Sequence, residues 1–176
     1  MKTLYLLRHA KSDWDDPELD DFDRPLSKRG QRAGQRMRRH FAENKIRPDL
    51  VLCSPALRTR ATWDLIGPAI HPAPTFKPLQ GLYLASASRI LAILRRLPED
   101  CSAVLVIGHN PGIARVATLL AGEGRNLGRM REKYPTGALA VLTLDIDAWR
   151  ELRGGRGRLV SFTAPADLEQ RVGQAG

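Results

Sequence analysis

The apolar positions of this chain alternate between two rhythms. Short runs of four to seven residues, rich in Leu, Val and Ile, read as buried strands: Thr3 to Leu7, Leu50 to Cys53, Ala103 to Ile107, Ala138 to Leu144 and Arg158 to Phe162. Between them, apolar residues recur every three or four positions, the spacing of a helix with one buried face. Ala33, Met37 and Phe41 stripe a helix that Ser27 caps and that runs to about Asn44, with Arg29, Arg32, Arg36 and Arg39 facing out. Leu57, Ala61 and Leu65 carry a second helix inward until Gly67-Pro68 ends it, with Ser54 as the expected N-cap and Pro55 as the expected first helical residue. Ala87, Ile90, Leu91 and Leu94 mark a third helix. Ile113, Val116, Ala117 and Leu120 line a fourth, which Pro111 opens. Residues 10–26 are polar loop, 71–85 are proline-rich with one short strand near Thr75-Phe76, and 122–136 read as loop.

Strands and helices in alternation predict an α/β fold, a three-layer α/β/α sandwich around a mostly parallel central sheet. With 176 residues and no internal repeat or linker, residues 1–176 are expected to form a single domain. No run approaches the ~18 apolar residues of a membrane span. The apolar stretch at the N-terminus is too short for a signal peptide and is interrupted by Arg8-His9, so the expected location is the cytoplasm, with no membrane partner. Cys53 and Cys101 occupy strand-like positions with no CxxC, which predicts two buried, reduced thiols rather than a disulfide or a metal site.

Charge narrows the partners. A net charge of +9 and a pI of about 10.2 bring anions to mind first. Seven of the 19 carboxylates fall between Asp13 and Asp23, a window without Lys or Arg, so the remainder of the chain carries +16. A basic body with an acidic loop suggests selection among partners by charge; a solvated loop on a basic protein is the simpler alternative.

Open parallel sheets gather ligands outside the carboxyl ends of their strands. Three such ends carry suggestive chemistry: Leu7-Arg8-His9-Ala10, Ser54-Pro55-Ala56-Leu57-Arg58, and Ile107-Gly108-His109-Asn110-Pro111. Arg offers a planar fork of donors that matches phosphate oxygens. Neutral His can be a nucleophile. A helix start, where Arg58 and His109 both lie, already favours an anion; it also lowers the pKa of a nearby His, which a phosphate would raise. Each feature alone reads as a satisfied histidine or a surface ion pair, but two imidazoles and two guanidiniums in one crevice describe a phosphoryl-transfer site. A cysteine-based phosphatase is excluded, because Cys53 and Arg58 are spaced Cys-x4-Arg where Cys-x5-Arg is required. His40, on a basic helix face, and His71, in a loop, have no such context.

Four stretches in order, Leu7-Arg8-His9-Ala10-Lys11-Ser12, Asp23-Arg24-Pro25-Leu26-Ser27-Lys28-Arg29-Gly30, Ser54-Pro55-Ala56-Leu57-Arg58-Thr59 and Val106-Ile107-Gly108-His109-Asn110-Pro111-Gly112, resemble the histidine phosphatase superfamily over nearly the whole chain. SixA-type phosphohistidine phosphatases are the form it is most similar to. That family has Arg-His-Gly more often than Arg-His-Ala, and Ala10 is a small replacement. The resemblance implies a phosphoglycerate mutase-like fold, with His9 as the phosphorylated nucleophile. Arg8, Arg58 and His109 would bind the equatorial oxygens, and Ser12 would add a hydrogen bond. It implies no cofactor and no metal.

Many members of the superfamily carry a Glu after the third strand to protonate the leaving alkoxide. The corresponding segment here, Phe76-Lys77-Pro78-Leu79-Gln80-Gly81-Leu82-Tyr83, has no carboxylate. A phosphorylated imidazole is a better leaving group, so the absence favours phosphohistidine on a protein. An Asp of the 13–23 loop folding over the pocket could instead supply the acid. The expectation is a monomeric phosphatase whose partner is a phosphorylated protein or a small phosphoester. The alternatives are a small-molecule phosphomonoesterase and, more distantly, a phosphoprotein- or nucleic-acid-binding module without turnover. The last rests on the pI and Arg153-Gly154-Gly155-Arg156-Gly157-Arg158, which reads more simply as a glycine turn; with 6% aromatics and no interleaved stacking pattern, nucleic acid is not the expected partner.

Overall fold

The computed structural model describes residues 1–169 of the chain. Seven strands, β1 (Lys2–Arg8), β2 (Leu50–Cys53), β3 (Thr75–Pro78), β4 (Ala103–Gly108), β5 (Ala121–Gly124), β6 (Leu139–Leu144) and β7 (Gly157–Thr163), form one sheet in the order β3-β2-β4-β1-β6-β7-β5. Four of the six neighbouring pairs run parallel; β6 is antiparallel to both β1 and β7. Six helices cover the sheet: α1 (Lys28–Glu43), α2 (Leu57–Ile66), α3 (Ala87–Leu94), α4 (Gly112–Leu120), α5 (Leu127–Glu132) and α6 (Pro165–Glu169).

Successive strand side chains point to opposite faces, and β1 shows the consequence. Leu4 and Leu6 enter one core with Ile90, Leu91 and Leu94 of α3, Ile113, Val116 and Leu120 of α4, and Met130 of α5. Leu7, with Tyr5 beside it, enters the other core with Met37 and Phe41 of α1 and Ile66 of α2, and Leu168 of α6 packs against the same core. Helices on both faces make the predicted three layers. They also explain why the central strands read as continuous apolar runs rather than as alternation.

Ser27 and Ser86 cap α1 and α3, accepting from the backbone N–H of Gly30 and Arg89. Gly30 also lets α1 press on the loop that leaves β1, because a Cβ there would stand 2.0 Å from the Lys11 carbonyl oxygen. Cys53 and Cys101 are free and buried, and burial pushes the Cys53 thiol up to about 12. The arginine–glycine run at 153–158 turns at Gly154 and Gly155 into β7. No described helix is long and apolar enough to cross a membrane.

Two expectations about these elements need correction. Residues 122–136 are not loop: most of β5 and all of α5 lie there, with Met130 buried. Ala-Gly-Glu-Gly has little strand propensity of its own and is held extended by pairing with β7. The inward face of α2 is not 57/61/65. Leu57 is exposed, and Arg58, Thr59, Thr62 and Ile66 are buried. Burial of the threonines is possible because Thr59 Oγ1 donates to the carbonyls of Ser54 and Ala56, while Thr62 Oγ1 donates to the Arg58 carbonyl and accepts from the Ala10 N–H. His40 is a buried structural histidine, as its lack of site context leads one to expect, with Asn44 Nδ2 3.0 Å from its Nδ1.

Candidate active site

β2, β4 and β1 are neighbours at the centre of the sheet, and their carboxyl ends are level. Arg8 is in register with Gly108, and Cys53 with Ile107. Each chain then takes one more step in register: the His9 N–H donates to the Gly108 carbonyl, and the Ser54 N–H to the Ile107 carbonyl. His9, Ser54 and His109 are thereby brought together by backbone geometry alone. The two imidazoles lie 5.3 Å apart between ring centroids.

His9 is 7% exposed, and its Nδ1 lies 2.7 Å from the Ala10 carbonyl oxygen. A carbonyl only accepts, so Nδ1 carries the proton and Nε2 keeps the lone pair. Burial, reinforced by the charges of Arg58, Arg8 and Arg24, lowers the His9 pKa to about 4 despite the Ala10 bond. At neutral pH this is an uncharged imidazole with one nitrogen free to attack.

His109 is tied at both nitrogens. Nε2 is 2.7 Å from Ser54 Oγ, and Nδ1 is 3.2 Å from Arg58 Nη2. Arg only donates, so Nδ1 accepts and Nε2–H donates to Ser54. Burial, then the neighbouring His9 and Arg58, lowers its pKa to about 3. Ser54 therefore positions His109 and is not the side-chain cap of α2. That helix begins at Leu57, two residues beyond Pro55, and the residue at its N-cap is Ala56.

Arg58 is 2% exposed, and both of its terminal nitrogens are held by Asp21. Nη1 donates to the Asp21 carbonyl at 2.6 Å and Nη2 to its carboxylate at 2.9 Å. Asp21 opens a single 3₁₀ turn, Asp21–Asp23, and also receives Arg24 Nη2 at 2.7 Å and the Tyr83 hydroxyl at 2.5 Å. Burial raises the Asp21 carboxyl, but these hydrogen bonds together outweigh it and hold the group well below the usual carboxylate range. Arg8 donates through Nη1 to the Tyr134 carbonyl, and burial lowers its pKa. Arg24 is buried with Nε and Nη1 unpartnered, its guanidinium 3.3 Å from the centre of the Trp14 ring.

One cavity of about 550 Å³ is lined by all five residues the sequence singled out, Arg8, His9, Ser12, Arg58 and His109. Asp21, Arg24 and the cations Lys11, Arg29, Arg36 and Lys133 complete much of its wall. His40 and His71 are not among the lining residues. Sequence reasoning missed four contributors. Ser54 was taken for a cap, Tyr83 sits in a segment read only for its lack of carboxylates, and Arg24 lies inside a quoted motif but was given no role. Asp21 was one of seven acidic residues with nothing to single it out. Among the described residues, no three His, Cys, Asp or Glu side chains gather as a metal site.

Two buried neutral histidines make stability depend on pH. The unfolded chain takes up these protons near pH 6.5, the folded chain only near 4 and 3. Their stabilising contribution is thus complete above pH 6.5 and is lost as pH falls toward 4. At ~1.4 kcal/mol per unit per group, urea denaturation is expected to show a loss of several kcal/mol between pH 7 and about 4.5, with a smaller loss in His109→Gln.

The model of the histidine phosphatase superfamily (branch 1) matches residues 4–82. An uncharacterized protein of Mycobacterium tuberculosis is 32% identical over 163 residues, covering 90% of this chain and 99% of that protein. The crystal structure of a candidate phosphohistidine phosphatase, SixA from Agrobacterium tumefaciens, superposes with a TM-score of 0.79 at 30% identity, covering 93% of this chain and 98% of that one. The structure of a protein histidine phosphatase SixA complexed with tungstate gives a TM-score of 0.76 at 25% identity, covering 94% of this chain and 99% of that one.

Proposed function

This chain belongs to the histidine phosphatase superfamily and is a phosphatase with the phosphoglycerate mutase-like fold, and from that premise we propose that it works without metal through a phosphohistidine intermediate on His9 and removes phosphate from phosphohistidine on a protein. The observation that carries this reading is the state of His9: neutral, its proton committed to the Ala10 carbonyl, its other nitrogen free, with guanidiniums of Arg8 and Arg58 lining the same cavity. Nε2 attacks phosphorus in line. The bond from phosphorus to the leaving atom breaks, and its electron pair leaves with that atom. Arg8 and Arg58 stabilise the equatorial oxygens, with Ser12 as a further donor; His109 joins them once Arg58 Nη2 turns from its Nδ1 to the phosphoryl group and that nitrogen takes up a proton. Water then attacks phospho-His9, the P–N electron pair returns to Nε2, and dihydrogen phosphate departs and loses a proton to solvent. The tungstate bound by a SixA structure is an oxyanion of phosphate-like shape, which supports an oxyanion site in this fold. The two free, buried thiols support a cytoplasmic place of action.

A second reading has one observation in its favour. The cavity is much larger than a phosphoryl group and carries Lys11, Arg29 and Lys133 on its wall, which suits a small phosphoester with a second anionic group. Phosphate release from a phosphohistidine protein and from a panel of small phosphoesters, all in EDTA, separates the two. Preference for phosphohistidine is expected, and EDTA is expected to leave the rate unchanged. Preference for an ester would favour the second reading, and loss of activity in EDTA would sink the metal-free mechanism.

A further inference from the structure

Phosphoesters and phosphoimidazoles make opposite demands on a carboxyl group beside the leaving atom. An alkoxide must receive a proton as it departs, so an ester needs a carboxylic acid. In a phosphoimidazole the nitrogen bonded to phosphorus has its lone pair in the ring, so the useful proton sits on the distal nitrogen. A ring protonated there departs as neutral imidazole, with the electron pair of the P–N bond on the nitrogen that held phosphorus. The partner suited to that N–H⁺ is an ionised carboxylate.

Asp21 has that character. Its side chain is 41% exposed and lines the same cavity as the deeply buried His9, which puts a solvent-accessible carboxylate in the cavity that a leaving group must pass through. It is ionised, and three donors hold it in place. We propose that Asp21 is a specificity-determining catalytic residue that accepts the distal ring N–H of a phosphohistidine substrate. This rests on the phosphohistidine reading above and names the group that selects for it.

The proposal follows from how the site must rearrange. Arg58 Nη2 is engaged by Asp21 in the free enzyme, and the phosphoryl oxygens need the same nitrogen. Their arrival releases one bond to Oδ2 of Asp21, while the Tyr83 hydroxyl on that oxygen and Arg24 on the other keep the carboxylate at the site. The freed acceptor position then meets the substrate ring. Tyr83 is itself fixed by edge-on contacts with His109 and Phe22, at 5.5 and 5.0 Å between centroids. The reaction becomes nearly symmetric, a phosphoryl group passing between two imidazoles. The Ala10 carbonyl holds the distal proton of His9, and Asp21 holds that of the substrate. No net proton transfer is needed, which accounts for the lack of a carboxylate in residues 76–83.

The test is a ratio measured on the whole chain. kcat/KM is determined for a chemically phosphorylated histidine peptide and for p-nitrophenyl phosphate, whose nitrophenolate departs unprotonated. Asp21→Asn keeps the size of the side chain and removes its charge. Loss of Arg58 alignment slows both reactions, but the phosphohistidine rate is expected to fall at least tenfold further, and Asp21→Glu is expected to restore part of the ratio. Equal losses on the two substrates would make Asp21 a positioning residue of Arg58 only and overturn the proposal, as would an unchanged phosphohistidine rate. A wild-type protein that ignores the phosphohistidine peptide would overturn the underlying reading before any variant is compared.

Discussion

Replacing His9 by alanine is expected to abolish turnover, with a loss of roughly four orders of magnitude or more in kcat, because the covalent route disappears rather than slows. Among the described residues the side chain makes one hydrogen bond of its own, to the Ala10 carbonyl, and its backbone N–H bond to Gly108 survives the substitution. The variant should therefore remain folded, with a circular dichroism spectrum matching wild type. A rapid-quench experiment adds a second readout. Wild type should accumulate an alkali-stable, acid-labile phosphoryl group that His9→Ala lacks. Retention of more than about a hundredth of the wild-type rate would mean that water attacks the substrate directly, and the intermediate would have to be given up.

Arg58→Ala carries the second large effect, an expected loss on the order of 10²–10³ in kcat through removal of charge stabilisation at the transferring phosphoryl group. The same substitution strips Asp21 of two hydrogen bonds and His109 Nδ1 of its donor, so these two groups of the site lose alignment together. Arg58→Lys should recover less than about a tenth of the loss. A single ammonium cannot span both the Asp21 carbonyl and the phosphoryl oxygens as the two-pronged guanidinium can. Steady-state kinetics on both variants check this, and a Lys variant close to wild type would reduce Arg58 to a point charge.

His9 and His109 were legible because each follows an apolar run that could only be a buried strand, and strand ends of such sheets converge. The polar network was not, because its geometry depends on tertiary placement. Ser54 stands where a helix cap would stand, yet its hydroxyl takes the His109 Nε2–H because α2 begins three residues later. Asp21 looks like its six acidic neighbours until the 13–23 loop folds back over Arg58. β5 and α5 escaped notice for a different reason: each is too short and too weakly patterned to announce itself, and packing against β7 and the core supplies what local preference does not.

The strand order has a consequence for how the protein comes into being on the ribosome. β1, bearing Arg8 at its end with His9 directly after it, precedes the other six strands in the chain, and the two strands that flank it, β4 and β6, are the fourth and the sixth to be translated. Until they are made the nascent chain holds an apolar strand with both edges open, a form prone to wrong pairing and attractive to a chaperone. Closure of the sheet around β1 is a long-range event, slow by the nature of its topology. His9 is thus made before the strands that fix its place in the sheet.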